Sequence, residues 1–391
     1  MKAVLAYSGG LDTSVCVKLL QEEYGYEVIT VTVDVGLEEE ELKEAEQKAK
    51  SLNAKHYTIN AKEEFCDYIF TAIKANATYE GYPLSTALAR PLIAKKVVEV
   101  AKKENAQALA HGCTGKGNDQ FRFEAVFRSL APEMKIIAPI REMNFTRRES
   151  MEYAKKKNIP VEVTMEKPYS IDSNLWGRSI EGGVLEDPSV APPEEIFEWT
   201  KITKKELEVI EITFEKGVPT ELNNEKLDKV ELITKLNKIA GMHGIGRIDI
   251  IEDRILGIKS REVYECPAAE VLLLAHKSLE QLVLTRETIK FKEIVEAKWS
   301  ELVYKGLWTE PLREALDVFI DKTQENVYGK VKVMLSDKKA MVIGRSSPYS
   351  LYSKEIISYD KKADNNKELE GLLKYHVFQA SLHHAKKVKK K

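Results

Sequence analysis

Apolar runs and amphipathic stretches alternate from the start of the chain. Residues 3–7 are unbroken apolar, 27–34 is a β-branched run, and 55–60, 106–111 and 135–140 read as further strands. Between them the spacing predicts helices from Leu11, over 38–52 with Leu42, Ala45 and Ala49 on one stripe, and over 62–77, 86–105 and 119–130. Thr146 and Glu149 make a capping box for a helix reaching Lys157. Continuous apolar strands separated by helices predict a doubly wound, mostly parallel sheet covered on both faces. Ligands of such sheets gather beyond the carboxyl ends of the strands. That rule puts Ser8–Ser14, residues 34–36 and residues 111–119 on one rim.

The pattern changes after Pro160. Residues 166–193 are proline-rich with little periodicity, as in a domain crossing or a binding loop. Strands are expected at 207–214, 247–252, 255–258 and 263–265, with helices near 226–240 and 268–283. Residues 328–335 and 339–344 form a hairpin across Ser336-Asp337-Lys338. The expected organisation is a nucleotide-binding domain over 1–165, an α+β domain over 166–360, and a C-terminal oligomerisation helix within 361–391. That helix carries Leu369, Leu372, Leu373, Val377, Phe378 and Leu382 on one side, to dock on another subunit or on its own chain.

With 391 residues, two domains and an appendage are the natural partition. Lys and Arg total 60 against 62 Asp and Glu, a formal net charge of −2, so no basic field argues for nucleic acid. The four cysteines form no CxxC pair, which argues against zinc, and no resident metal site is expected. Without a signal-like start or a long apolar stretch, the chain reads as cytoplasmic, with reduced thiols and no membrane partner. Cys113 has no histidine that sequence can pair with it and reads as a small filler.

Two stretches carry candidate chemistry. In the first, the apolar run ends in Ser8-Gly9-Gly10, and Leu11-Asp12-Thr13-Ser14 opens a helix. Paired glycines let the backbone pass close to a bulky ligand. The helix start offers unpaired N–H groups and partial positive charge, so an anion belongs there. The turn lacks the lysine of a Walker loop and the three spaced glycines of a dinucleotide fold. Ser-Gly-Gly-x-Asp-x-Ser instead resembles the pyrophosphate loop of enzymes that cleave ATP to AMP and pyrophosphate. The second stretch, His111 to Phe123, holds three glycines within six residues, plus Thr114, Lys116, Asn118, Asp119 and Arg122. Such mixed donors and acceptors suit a ligand bearing both carboxylate and amino groups; a loop for phosphate alone has no use for the acid.

Residues 6–14 together with 112–123 resemble the motifs of the argininosuccinate synthase family, and supporting likeness continues to at least residue 264. The resemblance implies ligation of citrulline to aspartate with ATP and Mg2+, through a citrullyl adenylate, in a homotetramer of the arginine biosynthetic route. It implies that Ala6, Tyr7, Ser8, Gly9, Gly10, Leu11, Asp12, Thr13 and Ser14 surround ATP, with Val33 near the adenine and Gly112 touching the nucleotide. Thr114, Asn118 and Asp119 fall at aspartate positions. Asn118, Arg122, Ser170, Ser179, Glu252 and Tyr264 fall at citrulline positions, and Asp12, Asn118 and Arg122 are the expected catalytic set.

Two departures from the family pattern stand out. Tyr82-Pro83-Leu84-Ser85-Thr86-Ala87 is one residue short, and Ala87 replaces a serine that would contact citrulline. Tyr82 is then the citrulline-side tyrosine, with Ser85 or Thr86 to replace the lost hydroxyl. Val33 stands where many members have alanine. Two competing readings stay open: an amide-forming or tRNA-thiolating enzyme with the same turn, and a nucleotide sensor without turnover.

Overall fold

The computed structural model describes residues 1–160, 169–358, 360 and 366–388. Strands β1 (Lys2–Ala6), β2 (Glu27–Asp34), β3 (Lys55–Asn60), β4 (Ala108–Ala110) and β5 (Lys135–Ile137) form one parallel sheet in the order β3-β2-β1-β4-β5. Strand order reverses beside β1, so the crevice beyond its carboxyl end is the natural ligand site. Alternate residues of β1 serve opposite cores. Ala3 and Leu5 join α1 (Leu11–Glu22) and α2 (Glu39–Ser51), while Val4 and Ala6 join α3 (Lys62–Lys74), α4 (Thr86–Lys103) and α5 (Asp119–Leu130). Leu5 is fully buried, and removing such a side chain from water contributes about 1.5–3 kcal/mol.

Most expected elements form. The strand expected at 106–111 shortens to Ala108–Ala110, and that at 135–140 stops at Ile137, because Pro139 has no N–H for the ladder and instead opens the short helix Pro139–Glu142. Thr146 and Glu149 make the expected capping box on Arg147–Lys156. From residue 169 the sheets are antiparallel. Strands Arg247–Asp253, Lys259–Glu265, Gly177–Gly182 and Tyr169–Asn174 form one sheet, and Val218–Leu222, Glu208–Glu215, Gly329–Ser336 and Lys339–Ser346 make up most of another.

Two expectations need correction here. Residues 255–258 are not a strand but the turn of a hairpin, closed by Arg254 N–H donating to Ile258 O at 2.9 Å, with Gly257 at φ +75°. Of the stretch 166–193, residues 166–168 lie outside the described residues, and 169–182 is not a loop but a β-hairpin whose residues are mostly polar because one side faces a cavity. The proposed boundary at 165/166 lies outside the described residues, and that at 360/361 lies at their edge.

Helices Pro267–Val283 and Arg286–Tyr304 are tied to the end of α3 by a buried ionic cluster. Lys292 lies 3.0 Å from Glu280, pairs with Glu296, and donates to the Lys74 carbonyl at 2.7 Å. Asn76 donates to both carboxylates at 2.7 Å and meets the His276 ring at 2.8 Å. Removing one partner of such a cluster leaves buried charge uncompensated. Lys292→Met should therefore cost on the order of 3 kcal/mol in urea denaturation followed by circular dichroism; a change within experimental error would show the cluster to be dispensable.

Residues 350–391 form a separate compact unit. The helix expected over 367–391 is two helices, Asn366–His376 and Phe378–Val388, and residues 389–391 lie outside the described residues. Among the described residues no helix is long and apolar enough to cross a membrane.

Candidate active site

A cavity of about 700 Å3 opens beyond the carboxyl ends of β1 and β4. One end is the turn after β1. Gly9 is buried at φ +75°, and a Cβ there would sit 3.0 Å from the Cα and Cβ of Ala45 on α2, so only glycine fits. Gly10 begins α1 without any side-chain cap, leaving the first helical N–H groups toward the cavity. Ser8 and Thr13 meet at 3.2 Å through their hydroxyls beside them. Gly112 brings the end of β4 against this turn; a Cβ there would lie 2.9 Å from Thr13 Cγ2.

Ala6, Tyr7, Ser8, Gly10, Leu11, Asp12, Thr13, Val33 and Gly112 line the cavity. Gly9 and Ser14 do not: Gly9 shapes the turn from beneath, and Ser14 is fully buried with its hydroxyl 3.1 Å from the Tyr7 phenol. Burial raises the Asp12 carboxyl above the usual carboxylate range, against the lowering effects of Ser150 and Arg147. Cys113 also lines the cavity, and burial pushes its thiol well up, so the small-filler reading suits it better than a nucleophile.

At the other end lie the amino-acid candidates. Tyr82, Thr86, Thr114, Asn118, Asp119, Arg122, Ser170, Ser179, Glu252 and Tyr264 all line the same cavity, although they come from stretches as far apart in the chain as Tyr82 and Tyr264. Asp119, at the start of α5, accepts from Arg90 Nε at 2.7 Å and Arg122 Nη1 at 2.9 Å. Burial alone would raise its carboxyl, but the two guanidiniums outweigh that and hold it below the usual range. Arg122 also donates to the Tyr304 carbonyl at 3.1 Å and is packed from behind by Gly306, whose Cβ would come within 2.6 Å of its Cα. Asn118 donates to Tyr304 Oη at 2.9 Å and accepts from Ile255 N–H at 3.0 Å, joining the glycine loop to the 247–265 hairpin.

Tyr82 donates to Glu252 at 2.5 Å and stacks on Tyr264 with ring centroids 4.5 Å apart. The hydroxyls proposed to compensate for Ala87 are both engaged: Ser85 is buried and donates to Asn174 at 3.2 Å, and Thr86 donates to Asp172 at 2.9 Å. Sequence reasoning missed Arg90, Asp172, Glu181, Arg254, Glu262 and Tyr304. Arg90, an arginine inside an otherwise buried helix face, is the one with a readable signal.

A phosphate-sized helix start at one end of the cavity, and paired arginines and carboxylates at the other, define a nucleotide-binding α/β enzyme that brings an ATP-like anion to amino-acid-like ligands. Family models agree with this reading over nearly the whole chain: the arginosuccinate synthase N-terminal HUP domain matches residues 2–160, and the arginosuccinate synthase C-terminal domain matches residues 169–383. An argininosuccinate synthase from Methanocaldococcus jannaschii is 65% identical over 392 residues, covering 99% of both chains. One from Methanosarcina acetivorans is 60% identical over 387 residues, covering 98% of each. Among solved structures, an NH3-dependent NAD synthetase from Campylobacter jejuni is 15% identical, covers 43% of this chain and 69% of its own, and superposes with a TM-score of 0.31. The chain belongs to the argininosuccinate synthase family.

Proposed function

We propose that this chain is an ATP-dependent ligase that joins citrulline to aspartate, releasing AMP and pyrophosphate, in arginine biosynthesis. The observation that carries this reading is one cavity joining the Gly9-Gly10 turn to the Arg90–Asp119–Arg122 cluster. In the first step the citrulline ureido oxygen bonds to the α-phosphorus of ATP as the bond to the β-phosphate oxygen breaks. Pyrophosphate departs against the N–H groups at the start of α1 and the hydroxyls of Ser8 and Thr13. In the second step the aspartate amine bonds to the activated carbon, the carbon–oxygen bond breaks, and AMP leaves with that oxygen. No protein nucleophile is needed; positioning and charge placement do the work.

In this reading residues 1–165 hold ATP and 166–360 complete the amino-acid sites. Thr114, Asn118 and Asp119 serve aspartate, the ionised Asp119 suiting its ammonium. Arg122 suits the citrulline carboxylate, with Tyr82, Ser170, Ser179, Glu252 and Tyr264 around the rest of that substrate. Asp12 and Asn118 act with Arg122 at the reacting end. Among the described residues no three His, Cys, Asp or Glu side chains gather into a metal site, and Asp12 stands at the turn without such partners. In the proposed reaction Mg2+ would come in on the nucleotide and, when bound, would neutralise phosphate charge. A cytoplasmic homotetramer is part of the proposal, and the exposed Leu372, Leu373 and Leu382 of the C-terminal helices support assembly.

Pyrophosphate release should require citrulline, and AMP should be the spent nucleotide once aspartate is added. Release indifferent to citrulline, or formation of ADP, would overturn the assignment. Four cysteines without a CxxC pair and a net charge of −2 disfavour the tRNA-thiolating alternative.

A further inference from the structure

Behind the citrulline end of the cavity, Glu262, Arg254 and Glu181 form a charge cluster with residues of the citrulline site, and the mechanism above uses none of these three. Glu262 accepts from the Tyr264 hydroxyl at 2.6 Å and lies 3.3 Å from Arg254 Nη2, which also donates to Glu181 at 2.6 Å. Arg254 further donates through Nη1 to the Lys116 carbonyl at 3.2 Å, across to the glycine loop. Glu181 comes from strand Gly177–Gly182, Glu252 and Arg254 from the end of Arg247–Asp253 and its turn, and Tyr264 from the same strand as Glu262. Tyr82 closes the group through its bond to Glu252 and its stack on Tyr264. All of these side chains line the cavity.

We infer that Glu262 is a positioning residue for citrulline, aiming the Tyr264 hydroxyl and the Arg254 guanidinium and supplying negative charge behind Glu252 for the substrate ammonium. The inference rests on the citrulline reading of this end of the cavity. Three carboxylates against one guanidinium leave the cluster negative, which suits an α-ammonium group and repels a second carboxylate. A Glu262 that takes up a proton gives up one of those charges. It also ceases to accept cleanly from Tyr264, because the phenol and the carboxylic acid then compete as donors.

Burial first, then Glu252 and Glu181, push the Glu262 carboxyl up to about 7, against the lowering effects of Tyr264 and Arg254. Citrulline binding favours the ionised form, so affinity holds above this range and falls as pH drops through it. With ATP and aspartate saturating, the KM for citrulline should rise about tenfold from pH 8 to pH 6, the change in ionised fraction for a group that titrates midway. The aspartate KM should stay level over the same range, since Asp119 is held ionised by two arginines.

The test is the pH profile of both KM values for the wild type, for Glu262→Gln and for Tyr264→Phe. Glu262→Gln should raise the citrulline KM about tenfold at pH 8, flatten its pH dependence, and leave kcat within about twofold. Tyr264→Phe, which removes the hydroxyl that steadies the ionised carboxylate, should move the inflection to higher pH. A flat wild-type citrulline KM, or an inflection that survives in Glu262→Gln, would overturn the inference and leave the function standing. Should Glu262→Gln fail to fold, the wild-type profile and the direction of the Tyr264→Phe shift decide it: an inflection that Tyr264→Phe does not move upward would overturn it. Pyrophosphate release without any need for citrulline would instead overturn the functional reading itself.

Discussion

Asp119→Ala is expected to lower aspartate-supported turnover about 10³-fold while ATP affinity changes by no more than about twofold. Asp119 sits between Arg90 and Arg122 at 2.7 and 2.9 Å, far from the Ser8–Ser14 turn in the chain but on the same cavity. Its removal takes away the carboxylate for the incoming ammonium and leaves two buried guanidiniums facing each other. Breaking a buried pair in this way costs about 3–5 kcal/mol. Arg90 retains an ion pair with Asp172 at 2.9 Å, whereas among the described residues the hydrogen bond left to Arg122 is to the Tyr304 carbonyl, with the Tyr304 ring and the charge of Glu252 nearby, so Arg122 should be the side chain that moves. Calorimetric titration with ATP, set beside pyrophosphate release at graded aspartate, separates the two effects. A fall in ATP affinity as large as the fall in turnover would show that Asp119 belongs to the nucleotide end.

Gly9→Val should reduce pyrophosphate release by about 10³-fold and strike ATP binding first. At φ +75° a side chain is strained by about 1–2 kcal/mol before any contact is counted, and a β-branched one is worse placed still. The new Cβ also meets Ala45 at 3.0 Å from both Cα and Cβ, so either α2 or the turn must shift. The turn is the softer partner, and its displacement would misalign the N–H groups that receive the pyrophosphate. Gly10 is a useful contrast: at φ −75° it needs no glycine for its backbone, and a Cβ would meet only Ser8 Oγ at 3.3 Å. A loss in Gly10→Ala therefore reports crowding of the ligand, while a loss in Gly9→Val reports a broken turn. Unchanged ATP binding in Gly9→Val would remove the turn from the site.

The parallel half was legible because its strands are buried on both faces, so Ala3–Ala6 reads as an unbroken apolar run and Glu27–Asp34 as a β-branched one, each bounded by turns. The hairpin at 169–182 was not. Its first strand, YSIDSN, is polar where it faces the cavity, and neither alternation nor a turn dipeptide marks it. Helices Arg286–Tyr304 and Pro311–Thr323 went unplaced, although Thr285 caps the first and Pro311 opens the second. Family likeness singled out site residues that spacing alone leaves as ordinary loop serines or core tyrosines, such as Ser179 and Tyr264. Arg90 could have been read from its place in a buried helix face, whereas Arg254 and Glu262 emerge only from the packing of the 169–182 and 247–265 hairpins against the glycine loop. Ser14 shows the opposite limit: its spacing matches the turn motif, yet its hydroxyl turns inward to Tyr7.

In the proposed reaction the turn after β1 receives pyrophosphate while a ureido oxygen attacks the α-phosphorus. Citrulline labelled with oxygen-18 in its ureido group tests this most directly, with mass spectrometry of the spent nucleotide after turnover with aspartate. The label should appear in the phosphate of AMP. Label absent from AMP, or recovered in water while the nucleotide emerges as ADP, would contradict it.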